Sequence, residues 1–258
     1  MRRVDSLHNL LIALYRLGKI TTAPTDKCWR QTVARIVPSR ASKYQFHLTG
    51  GALCLDFTNT RSWRRGSAPI ERLTGYNDLV AFGRQARIID AAQTRALRDA
   101  AARQPRRAAR VHREALELRV LIDRIFTTIV DGRPAARADL AALNARFAAV
   151  SARMCVVRDR RAYAWHDGEE GALDPMLAPV VRSAAALLTS AELAKLRRCG
   201  AADCGWLFID LSRNQRRRWC DMRVCGNRAK ARRHHHRTRR RLGEETKVRI
   251  ERLTRSAT

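Results

Sequence analysis

Four cysteines near the C-terminus, Cys199, Cys204, Cys220 and Cys225, form a C-x4-C-x15-C-x4-C array that runs directly into the most basic stretch of the chain. Two such pairs, each on a tight turn, complete a closed tetrahedron around zinc, which binds thiolates well and imposes no geometry from its d electrons. All four positions are then taken by sulfur and none is left for a reactive water. The array therefore reads as a structural Zn2+ site and not a hydrolytic one.

The basic character extends to the whole chain. Its 258 residues carry 52 Lys and Arg against 24 Asp and Glu, a formal charge of +28, and the isoelectric point is near 11.5. Such an imbalance favours a polyanionic partner through counterion release. Nucleic acid is the default reading, with ribosomal RNA or an anionic membrane surface able to exploit the same charge. A hydrophobic content of 45% is enough for a real core. No run approaches the roughly 18 apolar residues of a membrane span. The Leu10–Leu14 stretch is short and closed by Arg16, with no small-residue cleavage site. The expectation is a cytoplasmic, nucleoid-associated protein without a membrane partner. Outside the array lie Cys28, Cys54 and Cys155, three of the seven cysteines. An odd total argues against a secreted disulfide framework, and the three read as small buried apolar residues.

Hydrophobic patterning divides the chain. Residues 1–43 look like a poorly defined extension. After Gly50-Gly51, alternation of Leu53, Leu55 and Phe57 with Cys54, Asp56 and Thr58 predicts a half-buried strand. Asp56, Asn59 and Arg61 at its end are candidates for a ligand pocket, or else ordinary turn chemistry. Beyond a linker around Trp63–Pro69, helical spacing appears at Leu79, Phe82 and Ala86, then in Ala91–Arg103, which Pro105 is expected to end. The strongest helix signal is Val111–Val130. Another segment opens at Asp139, with Leu140, Leu143, Phe147 and Val150 on one face. Met154–Val157 and Tyr163–Trp165 predict a hairpin, Asp174-Pro175 predicts a helix start, and Thr189-Ser190-Ala191-Glu192 resembles a capping box for a short helix leading to Cys199.

Between the cysteine pairs, Trp206, Leu207, Phe208, Ile209 and Leu211 favour a strand or hairpin, and the second pair opens a helix. Arg228–Arg241 contains no proline or glycine, and a helix of about 15 residues would be roughly 22 Å long, fit for a major groove about 12 Å wide. No acidic residue occurs from Asn227 to Gly243. Arg228/Arg232 and Arg233/Arg237 repel at i,i+4 unless phosphate intervenes. The candidate nucleic-acid contacts are Asn227, Arg228, Lys230, Arg232, Arg233, Arg237 and Arg240. Asn227 and Arg228 are the candidates for base edges, though Asn227 is equally suited to bonding the backbone beside the cysteine turn. Arg217, Arg218 and Arg228 also suit charge compensation at the thiolates. His234, His235 and His236 have no ligand role beside four cysteines, and Trp206, Phe208 and Trp219 read as the module's small core.

Trp219–Arg228, preceded by Asp210–Asn214 and followed by Ala229-Lys230, closely resembles the CGNR zinc-finger family, and Gly51–Thr60 resembles the opening of the ABATE domain. The resemblance implies a bacterial, zinc-dependent, DNA-binding transcription regulator. It carries the zinc ligands over to Cys199, Cys204, Cys220 and Cys225 and the name-giving motif to Cys225, Gly226, Asn227 and Arg228. Phe82, where the pattern has tryptophan, and Ala86–Ile89 depart from the ABATE pattern, and residues 1–43 have no counterpart.

The expected fold class is α+β. A mostly helical, ABATE-like domain with a small antiparallel sheet spans 46–195, for sensing or dimerisation. A zinc-ribbon or treble-clef-like finger ending in a basic helix spans 196–241, and 242–258 is a basic tail. The partner expected is double-stranded DNA, and because one finger contacts few base pairs, specificity is expected to need a homodimer or a second protein. Alternatives are an RNA- or ribosome-associated zinc ribbon and a thiol redox or zinc-responsive switch. No nucleophile–base pair or phosphate loop asks for an enzyme.

Overall fold

The computed structural model describes residues 44–159, 162–167, 172–235 and 237–239. The expected extension 1–43, the tail 242–258, Cys28, His236 and Arg240 lie outside the described residues. The architecture is α+β, mostly helical with small antiparallel sheets and a C-terminal module of four close cysteines.

At its centre is a helix where a strand was expected. Leu53–Thr58 forms α1, and Cys54, Leu55, Phe57 and Thr58 are all buried. The apparent alternation fails because Cys54 and Thr58 also face the interior. Thr58 Oγ1 donates back to the Leu55 carbonyl at 2.9 Å, so its hydroxyl needs no solvent. A run of six apolar-rich residues does not separate a buried helix from a strand by period alone. Gly50 permits the tight entry, since a Cβ there would sit 2.9 Å from Leu55 Cβ and 3.0 Å from the Asp56 nitrogen.

Two longer helices, Pro105–Val130 and Leu177–Leu188, pack against α1. A two-residue ribbon, β1 (Arg61–Ser62) with β2 (Ile70–Glu71), leads to α2 (Tyr76–Gln85) and α3 (Ala91–Arg103). Helix α3 starts with a full capping box between Asp90 and Gln93. Pro105 does not merely end α3: it occupies the first turn of α4 (Pro105–Val130), where its missing N–H loses nothing. Buried Leu118, Leu121, Ile122 and Ile125 form the expected apolar stripe. Helix α5 (Arg137–Ser151) begins two residues before Asp139, whose carboxylate instead pairs with Arg124 of α4. Its Leu143 and Val150 are buried, whereas Phe147 is exposed.

Strands β3 (Met154–Asp159) and β4 (Ala162–Asp167) form the expected hairpin, with Val156 opposite Trp165. Cys155 is exposed in this hairpin, against the expectation of burial, whereas Cys54 is fully buried. Asp174 does not cap a helix. It takes an ion pair from Arg153 at 2.9 Å, and α6 (Leu177–Leu188) starts after a turn closed by Leu177 N–H on the Asp174 carbonyl. Nor do Thr189 and Ser190 form a capping box. Their hydroxyls donate back to Ala185 and Leu187, and a 3-10 turn (Ala191–Lys195) follows.

Strands β5 (Leu196–Arg198) and β6 (Leu207–Ile209) pair antiparallel and carry the first cysteine turn between them. Leu196, Leu207 and Ile209 belong to the same hydrophobic core as α1, α4 and α6. Packing thus continues across the 195/196 boundary.

Candidate metal centre and arginine groove

Cys199 follows β5 and Cys204 precedes β6. Cys199 N–H donates to the Trp206 carbonyl at 2.8 Å and Cys204 N–H to Ala201 at 3.1 Å, so the first knuckle is a tight turn closed by its own backbone. After Cys220, Asp221 accepts from Arg223 N–H at 2.7 Å and caps a π-turn, Met222–Gly226. Cys225 N–H returns to the Asp221 carbonyl at 2.9 Å. Met222 Sδ lies only 2.3 Å from where a Cβ on Gly226 would be, so its side chain uses the space this glycine leaves. A helix over 227–235, with 237–239 also helical, continues from this turn as α7. One knuckle between paired strands and one at a helix start match the zinc-ribbon or treble-clef-like arrangement expected.

The four sulfurs are buried and lie within 4.8 Å of one another. Cys204 and Cys220 Sγ are 3.6 Å apart, as are Cys220 and Cys225 Sγ. A tetrahedron with Zn–S bonds of about 2.3 Å has S–S edges of about 3.8 Å, so the four donors are gathered closely enough to hold one zinc ion. Contact with the Cys199, Cys204 and Cys225 sulfurs, then burial, pushes the Cys220 thiol far up. Contact with Cys199 does the same first to Cys204. The same contacts hold the Cys199 and Cys225 thiols down, so the four sulfurs divide into two thiolate-like and two protonated groups, and binding a divalent ion must displace the protons of the latter pair. His234 and His235 are exposed, outside the four-cysteine cluster.

Two arginines brace the knuckles. Arg217 donates to the Trp219 carbonyl at 3.0 Å, to Thr49 at 2.9 Å and to the Cys220 carbonyl, with its guanidinium 4.3 Å over the Phe208 ring. Its backbone N–H is held at 2.9 Å by the buried Asp210. The Ser212 hydroxyl and N–H, with Arg217 N–H, hold the Asp210 carboxyl below the usual carboxylate range despite burial. Arg228 pairs with Asp203 of the first knuckle at 2.6 Å and stacks 3.8 Å over Trp63. Trp206 and Phe208 are buried within the small core beside the cysteines, and Trp219 packs against it partly exposed.

The segment read as a linker turns out to dock the module. Arg64 and Arg65 N–H donate to the Cys204 and Asp203 carbonyls at 3.1 and 3.2 Å. The Arg64 guanidinium bridges the Gly205 carbonyl and Asp123 of α4. Trp63, Arg64, Asp123 and Asp203 escaped the sequence reading. Only their partners reveal their roles, and no local spacing marks them.

Asp56, Asn59 and Arg61 also lie along this seam. Asp56 accepts from Gly50 N–H at 2.7 Å, and Gly50 in turn receives Ile209 N–H at 2.8 Å. Burial pushes the Asp56 carboxyl up to about 6, against the pull of Gly50 N–H and Arg217. Asn59 donates to the Leu207 carbonyl at 2.9 Å and accepts from its N–H at 3.1 Å, extending the ladder beside β6. Arg61 is exposed, and its carbonyl accepts from Trp206 Nε1 at 2.9 Å.

On α7, Asn227 and Lys230 are exposed. Arg232 reaches Asp203 at 3.6 Å. Arg232, Arg233 and Arg237, with Arg218, Trp219 and Gly200, line an open groove of about 580 Å³, and among the described residues no acidic side chain lines it. Arg228 belongs to the bracing and not to this groove.

No helix among the described residues is long and apolar enough to cross a membrane. A family profile described as "Putative stress-induced transcription regulator" (ABATE) matches residues 51–191, and one for the CGNR zinc finger matches 195–238. Among curated proteins none matches the chain. Neither family description names an enzyme. The ABATE match covers more than half of the chain, which therefore belongs to the ABATE family and carries a CGNR zinc finger at its C-terminal side.

Proposed function

We propose that the chain is a zinc-dependent transcription regulator of the bacterial cytoplasm that binds double-stranded DNA at the nucleoid, with the finger supplying affinity and the helical region dimerisation or sensing. The observation that carries this reading is the arginine groove along α7, in which Arg218, Arg233 and Arg237 converge beside Arg232, itself within reach of Asp203, with no acidic lining residue among the described residues. Clustered guanidinium groups in a groove suit phosphodiester oxygens, for which arginine offers paired donors. Zinc acts here as a structural element, fixing the π-turn from which α7 starts. Asn227, exposed at the start of α7, and Lys230 are the contacts left to base edges or flanking phosphates.

Selection of zinc-loaded protein against random duplex DNA and structured RNA pools over a salt series tests the reading. Duplex DNA is expected to be retained, with an enriched motif that Asn227→Ala blurs. Trp219 in the same groove favours a second reading, in which an unstacked RNA base lies on its ring. Preferential retention of structured RNA would replace the DNA reading with that one.

A further inference from the structure

The corner between α3 and α4 carries a second concentration of positive charge, apart from the finger. Arg95, Arg103, Arg106, Arg107, Arg110 and Arg113 fall there, and Asp99 is the only acidic residue from Arg95 to Arg113. No loop separates the two helices, since Gln104 is at once the C-cap of α3 and the N-cap of α4. Arg106, Arg110 and Arg113 follow one another at i, i+4 and i+7. That spacing puts them on one exposed face of α4, opposite the buried Ala108, Val111 and Ala115. Exposed Arg103, in the last turn of α3, adjoins them across the corner.

The chain itself does little to neutralise these groups. Arg107 reaches only the neutral Gln104 side chain, at 3.3 Å, and Arg110 stands 3.8 Å from Glu114 in an exposed pair of little energy. Among the described residues, Arg95, Arg103, Arg106 and Arg113 lie within ion-pair distance of no carboxylate, and Asp99 joins no ion pair. Arg106 and Arg110 repel at i,i+4. Arg106 and Arg107 also stand in the first turn of α4, where the positive end of the helix disfavours cations and no acidic residue offsets them. A polyanion removes both costs. Among the described residues from Arg95 to Arg113 no large apolar side chain is exposed, so the face lacks the inserted residues by which a basic helix holds a lipid surface. The finger docks towards the other end of α4, on Asp123, Thr127 and Asp131. From Arg110 to Thr127 the axis runs about 25 Å.

We propose that this arginine face is a second phosphate-binding surface, which holds the backbone of a DNA duplex outside the footprint of the finger. The proposal rests on the nucleic-acid reading of the arginine groove and extends it from the finger to the helical region. Guanidinium groups offer paired donors to phosphodiester oxygens, and such contacts position a duplex without reading its sequence. The face therefore adds affinity and site length, and leaves base preference to the finger.

The test measures anisotropy over a salt series with zinc-loaded full-length protein and duplexes of about 10 and about 24 base pairs, roughly 34 and 80 Å long. Three samples are compared: the parent, the face variant Arg103→Gln/Arg106→Gln/Arg110→Gln/Arg113→Gln, and the groove variant Arg233→Ala/Arg237→Ala. The face variant should match the parent on the short duplex. On the long one it should bind about tenfold or more weakly, with a log–log salt slope shallower by about 2 to 4. Arg106→Glu separates a lost contact from a lost fold: an acid at the helix start, four residues before Arg110, should raise the urea midpoint while weakening the long duplex several-fold. The proposal is overturned if the face variant keeps the parent's affinity and slope on the long duplex, or loses as much on the short one. It is equally overturned if phosphatidylserine vesicles, and not the long duplex, depend on these arginines. A groove variant that behaves as the parent at both lengths would contradict the groove reading instead, and the face would still be judged by its own difference from the parent.

Discussion

Cys220 lies 3.6 Å from both Cys204 and Cys225, so its sulfur joins the two knuckles. Cys220→Ser should lose stoichiometric zinc and destabilise the fold by more than about 4 kcal/mol, the range of metal loss. Metal analysis with urea denaturation checks this, and a zinc-replete variant of ordinary stability would contradict it. Asp56 makes a different prediction, concerning pH. Its folded-state carboxyl is raised from 3.8 to about 6, chiefly by burial. The folded protein therefore holds this proton more tightly than the unfolded chain, and the associated stability is present below about pH 4 and lost as pH rises through 6. Asp56→Asn keeps an oxygen for Gly50 N–H and removes the buried charge. The variant should be more stable than the parent at pH 7, by up to about 3 kcal/mol, with the gap closing towards pH 4. Denaturation of both proteins at the two pH values measures it.

Among the elements, legibility followed length and locality. Helix α4 was plain because Leu118, Leu121, Ile122 and Ile125 repeat at helical spacing over many turns, and the cysteine knuckles were plain because each closes within six residues. Helix α1 was not, being a short element buried on nearly every side, where any period is masked. Asp174 and Ser190 carry good capping chemistry, yet Arg153 takes the first and a preceding carbonyl takes the second. The docking of Trp63–Arg65 on the first knuckle depends on partners some 140 residues away and leaves no local trace. Crowding at the entry to α1 gives a further prediction. A methyl at Gly50 would press on Leu55 Cβ and the Asp56 backbone. Gly50→Ala should therefore cost about 1–3 kcal/mol by overpacking, readable as a lower urea midpoint with an unchanged slope.

At the scale of the whole molecule, the finger and the helical region share a core through Leu196, Leu207 and Ile209, and Asn59 clamps β6 from outside the finger. Zinc therefore supports more than its own loop. Chelation should lower the melting temperature of the entire cooperative transition, by calorimetry, whereas a finger on an independent tether would melt apart and leave the helical transition in place. The same coupling places the arginine groove under the control of the metal. Its direct measurement is the affinity for a short DNA duplex across a salt series, by anisotropy, for zinc-loaded protein, chelated protein and the Arg233→Ala/Arg237→Ala double variant. Four groove arginines on phosphates give a log–log salt slope of about −3 to −4. Loss of two should reduce it by about 2, and chelation should abolish specific retention. Duplex binding with the same affinity and slope in all three samples would contradict a zinc-organised nucleic-acid groove.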